Sequence, residues 1–409
     1  MNSLLSVLIP TKNRPETLEA CLLSCARVQF ADIEFVIIDN ASSDSTASAC
    51  KPFLSDNRFR YLRFDTRGSI NDQFRRAVDA SLGDWLCIIG DDDALLPISL
   101  VYFATKLTAE RDKFDSVQVI RWPDAIYRWP DFLGPEANLL KFHSVTGNVA
   151  RSNIDNSREM LPSVSKNIKA TYQAPGLYHN FIKRKFVNYL LKTYPETIFF
   201  LSPDISIRVH CIYESIYYMT LPWPITLAGY SSSSTGASNS GTGRPDIRQA
   251  FWSENPDWIE ALESAIEIRF SDFGNDPPCS EVLATYAIFC KIAKERGVQA
   301  PQIESYIRSE LSNASKLTPL LRPKVKLIVQ KVLERHNLTA DLSAFDSSLP
   351  SRSLGEPHFA LVPHNDQYNY STCVKLPLGL VSNANQASLF LEAFHSSMQQ
   401  MSIGNAPVS

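Results

Sequence analysis

Across the first 121 residues, short apolar runs alternate with segments whose hydrophobic residues recur every three or four positions. Leu4 to Ile9 is a continuous apolar run, as expected of a parallel strand buried on both faces. Residues 16–27 follow with Leu18, Cys21, Leu22 and Cys25 on one helical face. The stretches IEFVIID (33–39), FRYLRF (59–64), WLCIIG (85–90) and DSVQVIRW (115–122) read as further strands. Between them, the segment after Ser43 or Asp44, residues 69–81 and a segment from Pro97 to about Arg111 read as helices. Strand and helix alternating at this pace predict an α/β fold with a mostly parallel sheet.

Such sheets bind ligands at the carboxyl ends of their strands. In this chain four of those ends are polar: PTKNR, DNASSD, DTRGS and GDDD. The last is the sharpest case, because the apolar run Trp85–Ile89 leads through Gly90 into Asp91, Asp92 and Asp93. Adjacent carboxylates repel, so they call for a neutralising partner. Hard oxygen donors suit Mg²⁺ or Mn²⁺. The plainer alternative is an acidic turn in front of the helix that starts near Pro97. Asp39, directly after FVII, suits either a base or ribose contact or an Asx-turn.

Composition narrows the function classes. The 409 residues carry a net charge of −3, which gives no basic footprint for nucleic acid. Eight cysteines without a CxxC pair fit a reduced compartment, with Cys21 and Cys25 as small core residues. The N-terminal MNSLLSVLIPTKNRPE lacks the basic start of a signal peptide. No apolar run approaches the roughly 20 residues that cross a bilayer. A cytoplasmic protein is expected, with association at the inner membrane face left open.

Three stretches together, SVLIPTKNRPETLEACLLS, EFVIIDNASSDST and GDWLCIIGDDDALLP, are similar in order and spacing to family-2 glycosyltransferases of the GT-A (Rossmann-like) fold. The resemblance covers residues 4–110 and extends more loosely to about 235. It implies a nucleotide-diphosphate sugar donor, a glycan or lipid-linked acceptor in surface polysaccharide synthesis, Mn²⁺ or Mg²⁺ held by a DxD-type motif, and inversion by direct displacement. It places Pro10, Thr11, Arg14, Asp39, Arg67, Asn71 and Asp91 at the nucleotide-sugar site, and Asp91, Asp92 and Asp93 at the metal. Counting back from ALLP, however, Gly90 stands where the family has its first aspartate. Either Asp92 acts with Asp91, or Asp91 and Asp93 form the pair. An inverting transfer also needs a base. In TIFFLSPDISIRVHCIYESIYY, Asp204 resembles the family's base, with Pro203 in place of the preceding Glu; helix capping is the alternative. Arg208, one turn on, either orients Asp204, binds phosphate or is a surface residue, and the lone His210 reads as structural rather than as a ligand. Trp122, Tyr127 and Trp129 read either as an acceptor platform or as core.

The expected organisation is a GT-A catalytic domain over 1–235, a Ser/Gly-rich linker or lid over 236–250, a helical domain over 251–340 and a weakly structured region over 341–409. Two other readings compete: a metal-dependent nucleotidyltransferase, and a non-catalytic nucleotide-sugar-binding or scaffold protein that retains the fold. The first would show a Gly-rich phosphate loop after the first strand, which PTKNRPE lacks. The second would have lost the acidic cluster or the base.

Overall fold

The computed structural model describes the chain except residues 1–2, 44, 134–135, 144–152, 240–243, 272–276, 278, 347–359, 364–369, 377–380 and 394–409. The expected cap Asp44 and much of the C-terminal region therefore lie outside the described residues.

Four strands, β1 (Leu5–Thr11), β2 (Ile33–Asn40), β3 (Phe59–Phe64) and β4 (Trp85–Ile88), form the parallel heart of the main sheet, in the order β3-β2-β1-β4. Their side chains alternate between two cores, as the period-2 geometry of a strand requires. Val7, Ile9, Phe35, Ile37 and Cys87 pack on one face against α1 (Pro15–Ala26), where Cys21 and Cys25 are buried free thiols as expected. Leu8, Val36, Ile38, Leu86 and Ile88 pack on the other face. There they meet Phe74, Ala77 and Val78 of α3 (Ile70–Ala80), which a Ser69–Asp72 capping box starts. The short α2 (Thr46–Cys50) has Ser45 at its N-cap position, two positions after Ser43, without a side-chain capping hydrogen bond among the described residues.

After β4 the chain passes through the three aspartates into β5 (Ala94–Leu95) and α4 (Pro97–Ala109), with Pro97 opening the helix as anticipated. The main sheet then extends through β6 (Val117–Arg121), β9 (Asn153–Asn156), β10 (Asn180–Lys183) and β11 (Tyr217–Thr220), in the order β4-β10-β6-β11-β9. A second sheet has the order β13-β14-β8-β7-β12-β5. Its other members are β7 (Ala125–Arg128), β8 (Leu139–His143), β12 (Thr226–Tyr230), β13 (Ala360–Pro363) and β14 (Tyr370–Lys375). The acidic stretch thus lies at the crossing from the main sheet to the second. This is the α/β fold with a mostly parallel central sheet and C-terminal helices expected from the sequence.

The remaining helices are α5 (Leu161–Lys166), α6 (Arg184–Thr193), α7 (Pro203–Glu214), α8 (Thr235–Asn239), α9 (Pro245–Glu254), α10 (Pro256–Ile266), α11 (Glu281–Arg296), α12 (Ile303–Asn313) and α13 (Arg322–Arg335). One apolar core joins Val164, Ile168, Ile205, Val209 and Ile212 to Trp252, Leu283, Phe289, Ile307 and Ile328, so α7 is shared between the main sheet and the helices. Two stretches differ from expectation. The described part of the Ser/Gly-rich stretch is largely helical, with α8 at its start and α9 at its end. Part of the C-terminal region also packs at the end of α1. Arg27 donates to Asn385 Oδ1 (3.1 Å), to Ser388 Oγ (2.6 Å) and to Glu392 (3.1 Å), all on a helix over residues 384–393. Among the described residues no helix is long and apolar enough to cross a membrane.

Candidate active site

The loops after β1, β2 and β3 are stitched into one rim. Asn13, in the left-handed region at φ 53°, donates its backbone N–H to Ser42 Oγ (3.0 Å) and accepts from Ser43 N–H (2.9 Å). The Asn40 side chain exchanges two hydrogen bonds with the Gly68 backbone, at 2.8 and 2.9 Å. Pro10, in β1 opposite Ile38, and Thr11 line the base of this rim. Asp39 is fully buried and accepts from Ser42 N–H (2.9 Å) and from the Tyr61 hydroxyl. It therefore holds the turn as the Asx alternative foresaw.

Arg67 and Asn71 are not in contact with the aspartates. Arg67 ion-pairs with Glu254 at the end of α9, and Lys12 Nζ lies 4.0 Å from the same carboxylate. Asn71 Oδ1 is buried without a hydrogen-bond partner among the described residues.

The three aspartates are almost fully inaccessible, at 1%, 4% and 1% exposure, and each has its own set of partners. Asp91 accepts from Thr11 Oγ1 (2.7 Å) and is paired with the Arg14 guanidinium. Asp92 Oδ2 accepts from Ser231 N–H (3.2 Å) and Ser231 Oγ (2.8 Å). Its backbone carbonyl accepts from Trp129 Nε1 (2.9 Å). Asp93 is enclosed: Gly229 N–H (2.6 Å), Tyr178 OH (3.0 Å) and Gly90 N–H all donate to it, and His179 Nε2 lies 3.1 Å away at ion-pair distance.

Electrostatics follow this partnering. Burial pushes Asp92 up to about 6, with Asp91 and Asp93 adding to the rise and Arg14 opposing it. Burial also raises Asp91 against the pull of Arg14. At Asp93 the His179 cation and the donated N–H groups outweigh burial, and the carboxyl stays below its ordinary value. Burial works against the charges of Arg14 and His179, yet the aspartates beside them lift both above their usual values. The repulsion between three adjacent carboxylates is thus met by two protein cations, one at each end of the run.

These partners rank the three candidate metal ligands. Asp93 is the most engaged, with one hydrogen bond to Oδ1, two to Oδ2 and His179 at ion-pair distance from Oδ2. Asp92 Oδ1 accepts no hydrogen bond among the described residues and faces only Arg14 Nη1, at 3.9 Å. Asp91 Oδ1 is shared with the same guanidinium. Two hard oxygens on neighbouring residues fit a divalent ion that completes its shell with substrate phosphates. They are fewer than an all-protein cage needs, and among the described residues no group of three or more acidic, His or Cys side chains is arranged around a common metal position.

Asp204 lies in the first turn of α7, where it accepts from Arg208 Nε (3.1 Å). Arg208 is fixed in turn by the carbonyls of Tyr172 (3.1 Å), Ala174 and Tyr178 (3.4 Å). A Cβ on Gly176 would come within 2.9 Å of Arg208 Cγ, so only glycine leaves that room. Arg208 is thus an orienting residue rather than a surface one. Asp204 Oδ2 accepts no hydrogen bond among the described residues.

Residues 174–179, the stretch APGLYH, therefore tie Arg208 and Asp204 to Asp93, because Tyr178 and His179 reach the cluster from the other end of the same turn. His179 adopts φ 53°, a left-handed conformation that costs a non-glycine residue about 1–2 kcal/mol, and its Nδ1 is 2.8 Å from Thr226 Oγ1. Sequence reasoning missed Tyr178, His179, Ser231 and Gly229; the Pro-Gly turn ahead of an aromatic and a histidine was the available signal.

Two other expectations are corrected or narrowed. Trp122, Tyr127 and Trp129 are buried, with Trp122 Nε1 bonded to Thr226 (2.8 Å) and Tyr127 OH to Asn138 (2.7 Å), so they are core and not a platform. His210 is fully buried between Thr197 Oγ1 (3.1 Å) and Arg296 Nη2 (2.9 Å). Burial and Arg296 push it down to about 3, which makes it a neutral structural residue.

An α/β layer thus carries a buried acidic turn at the crossing of two sheets. Residues 6–163 match the model of the family described as "Glycosyl transferase family 2". A "PGL/p-HBAD biosynthesis glycosyltransferase" of Mycobacterium bovis is 32% identical over 128 residues, which is 31% of this chain and 48% of the relative. A Campylobacter jejuni "GalNAc(5)-diNAcBac-PP-undecaprenol beta-1,3-glucosyltransferase" is 33% identical over 94 residues, 22% of this chain and 30% of the relative. The chain thus spans about half or less of these relatives' length. Among solved structures, S. aureus TarS in complex with UDP-GlcNAc aligns at 12% identity and a TM-score of 0.42, over 82% of this chain and 93% of that one. A Pyrobaculum calidifontis mannosyltransferase in complex with GDP-Man and Mn²⁺ aligns at 13% identity and 0.40, over 84% and 78%.

Proposed function

We propose that the chain is an inverting glycosyltransferase that moves a sugar from a nucleoside diphosphate donor to a hydroxyl of a glycan or lipid-linked acceptor. The observation that carries this reading is the APGLYH turn. It braces the acidic cluster through Tyr178 and His179 and, through Arg208, orients a carboxylate with a free oxygen. A donor-binding group and a candidate base are thereby held by one rigid segment, as a direct displacement requires. The name of the Campylobacter relative, which includes a PP-undecaprenol unit, favours a lipid-linked acceptor and action at the inner membrane face.

In this mechanism Asp204 takes the proton of the acceptor hydroxyl as that oxygen attacks the anomeric carbon from the face opposite the diphosphate. The bond from the anomeric carbon to the diphosphate oxygen breaks as the new one forms. The stitched loops after β1, β2 and β3, with Pro10, Thr11, Asp39, Arg67 and Asn71, form the nucleotide cradle. Asp91 and Asp92 would hold Mn²⁺ or Mg²⁺, which when bound offsets charge on the leaving diphosphate. Asp93 keeps the turn in place. Residues 1–235 serve as the catalytic domain, with the helices of 251–340 bracing α7 beneath Asp204.

Thermal-shift screening with UDP and GDP, each with and without Mn²⁺, tests donor binding; stabilisation should require metal and vanish in Asp92→Asn. Asp204→Asn should lower turnover by about 10²–10⁴-fold while leaving that stabilisation intact. Full activity in Asp204→Asn would remove it from the mechanism.

A further inference from the structure

The two carboxylate oxygens that fit a divalent ion already have a cation between them. Arg14 Nη1 is paired with Asp91 Oδ1 and lies 3.9 Å from Asp92 Oδ1, the one oxygen of that carboxylate without a hydrogen bond among the described residues. The guanidinium is anchored there, because Nη2 donates to the Ser233 carbonyl at 2.5 Å. Ser233 sits two residues past Ser231, whose N–H and hydroxyl close over the other oxygen of Asp92. The same turn is fastened at its outer side, where Ser232 donates from N–H (3.2 Å) and Oγ (2.6 Å) to Asp131. Residues 231–233, Arg14 and the aspartates thus form one closed clasp. A guanidinium and a divalent ion cannot share two neighbouring oxygens, because like charges a few ångströms apart repel strongly at a buried site.

We propose that Arg14 holds the place of the divalent cation, so that metal binds tightly only once the donor's diphosphate gives the guanidinium a new partner. The inference rests on the donor-binding reading above. It makes Arg14 a positioning residue that couples two binding events. Donor and metal each bind weakly alone and tightly together, and the Ser231–Ser233 turn is released from Arg14 in the same step.

The test is Mn²⁺ binding without nucleotide, read by the electron paramagnetic resonance signal of free Mn²⁺. Arg14→Gln should bind Mn²⁺ alone at least about ten-fold more tightly than the unaltered protein. Adding UDP or GDP should tighten Mn²⁺ binding in the unaltered protein far more than in the variant. Asp92→Asn in the Arg14→Gln background should abolish the gain; retained binding would put the ion elsewhere and overturn the inference. Equal or weaker Mn²⁺ binding in Arg14→Gln overturns it too. If that occurs while the unaltered protein still binds Mn²⁺ with UDP or GDP, the donor-site reading survives and only the exchange fails. If the unaltered protein takes up no Mn²⁺ with either nucleotide, both fall.

A second measurement needs no variant. Arg14 should be protected from phenylglyoxal in metal-free protein, become reactive when Mn²⁺ is added alone at high concentration, and be protected again by UDP or GDP with Mn²⁺, as read by peptide mass. Reactivity indifferent to Mn²⁺ refutes the exchange.

Discussion

Gly229→Ala is the sharpest perturbation of the acidic turn that leaves every charge in place. β12 passes so close over the turn that a Cβ on Gly229 would lie 1.7 Å from the Asp92 carbonyl oxygen and 2.9 Å from Trp129 Nε1. Heavy atoms in a packed interior need at least about 3 Å, so β12 or the turn must move by more than about 1 Å. That displacement stretches the Gly229 N–H bond to Asp93 (2.6 Å) and the Trp129 bond to Asp92 (2.9 Å) together. Hydrogen bonds to charged groups contribute about 1.5–3 kcal/mol each and neutral ones about 1. The expected loss is about 3–4 kcal/mol of unfolding free energy, with weakened nucleotide binding because Ser231 directly follows β12. Urea unfolding monitored by tryptophan fluorescence measures it. Gly236→Ala is the control, since among the described residues the only neighbour within 4 Å of its Cβ would be Ser234 Oγ at 3.8 Å. It should be neutral or slightly stabilising. A Gly229→Ala protein within about 0.5 kcal/mol of the unaltered one would refute the close approach of β12 to the turn.

The other expectations are brief. Glu310 is fully buried, and burial pushes its carboxyl from 4.5 up to about 7 against a hydrogen bond from Ser280. The folded state therefore binds more protons than the unfolded state between these values, so stability falls as pH rises through about 4.5 to 7, by about 3 kcal/mol in all. Glu310→Gln should flatten that fall in thermal melts from pH 5 to pH 8, and an unchanged slope would count against it. Asp93→Asn breaks a buried ion pair and should cost about 3 kcal/mol, whereas Asp92→Asn should be far milder in melting but should lose metal-dependent nucleotide binding. Equal melting losses in the two variants would contradict the different roles assigned to them.

The parallel strands were legible because burial on both faces writes them as unbroken apolar runs. FRYLRF matches β3 residue for residue, and IEFVIID falls one residue short of β2. The second sheet was not legible, because β5 and β7 are two and four residues long and β8 finds a partner in β14, more than 200 residues away. Short strands with distant partners leave little periodicity to read. The acidic run announced the site, but not which carboxylate was spoken for. Tyr178 lies 85 residues from Asp93 and Gly229 lies 136, so only the folded chain brings the donors that single out Asp93. Asp39 illustrates the converse, since a strand-end aspartate bonded three residues on is a local pattern that the sequence does carry.

Gly90 explains the shifted acidic register. A Cβ there would meet Tyr178 OH at 2.8 Å, Asp92 Oδ1 at 3.0 Å and Asp93 Oδ2 at 3.1 Å. The space that an aspartate would need at this position is occupied by the Tyr178 phenol, which uses it to donate to Asp93. The phenol thus donates a hydrogen bond into the cluster where a further carboxylate would add charge. Gly90→Asp should therefore destabilise through both crowding and repulsion, and Tyr178→Phe should destabilise by about 1–2 kcal/mol through the lost hydrogen bond. Combined, the two changes should cost less than their sum by about 1 kcal/mol or more, because removing the hydroxyl opens the space the new side chain enters. Strict additivity in a double-mutant cycle of urea unfolding would mean that Tyr178 and position 90 do not compete for the same space.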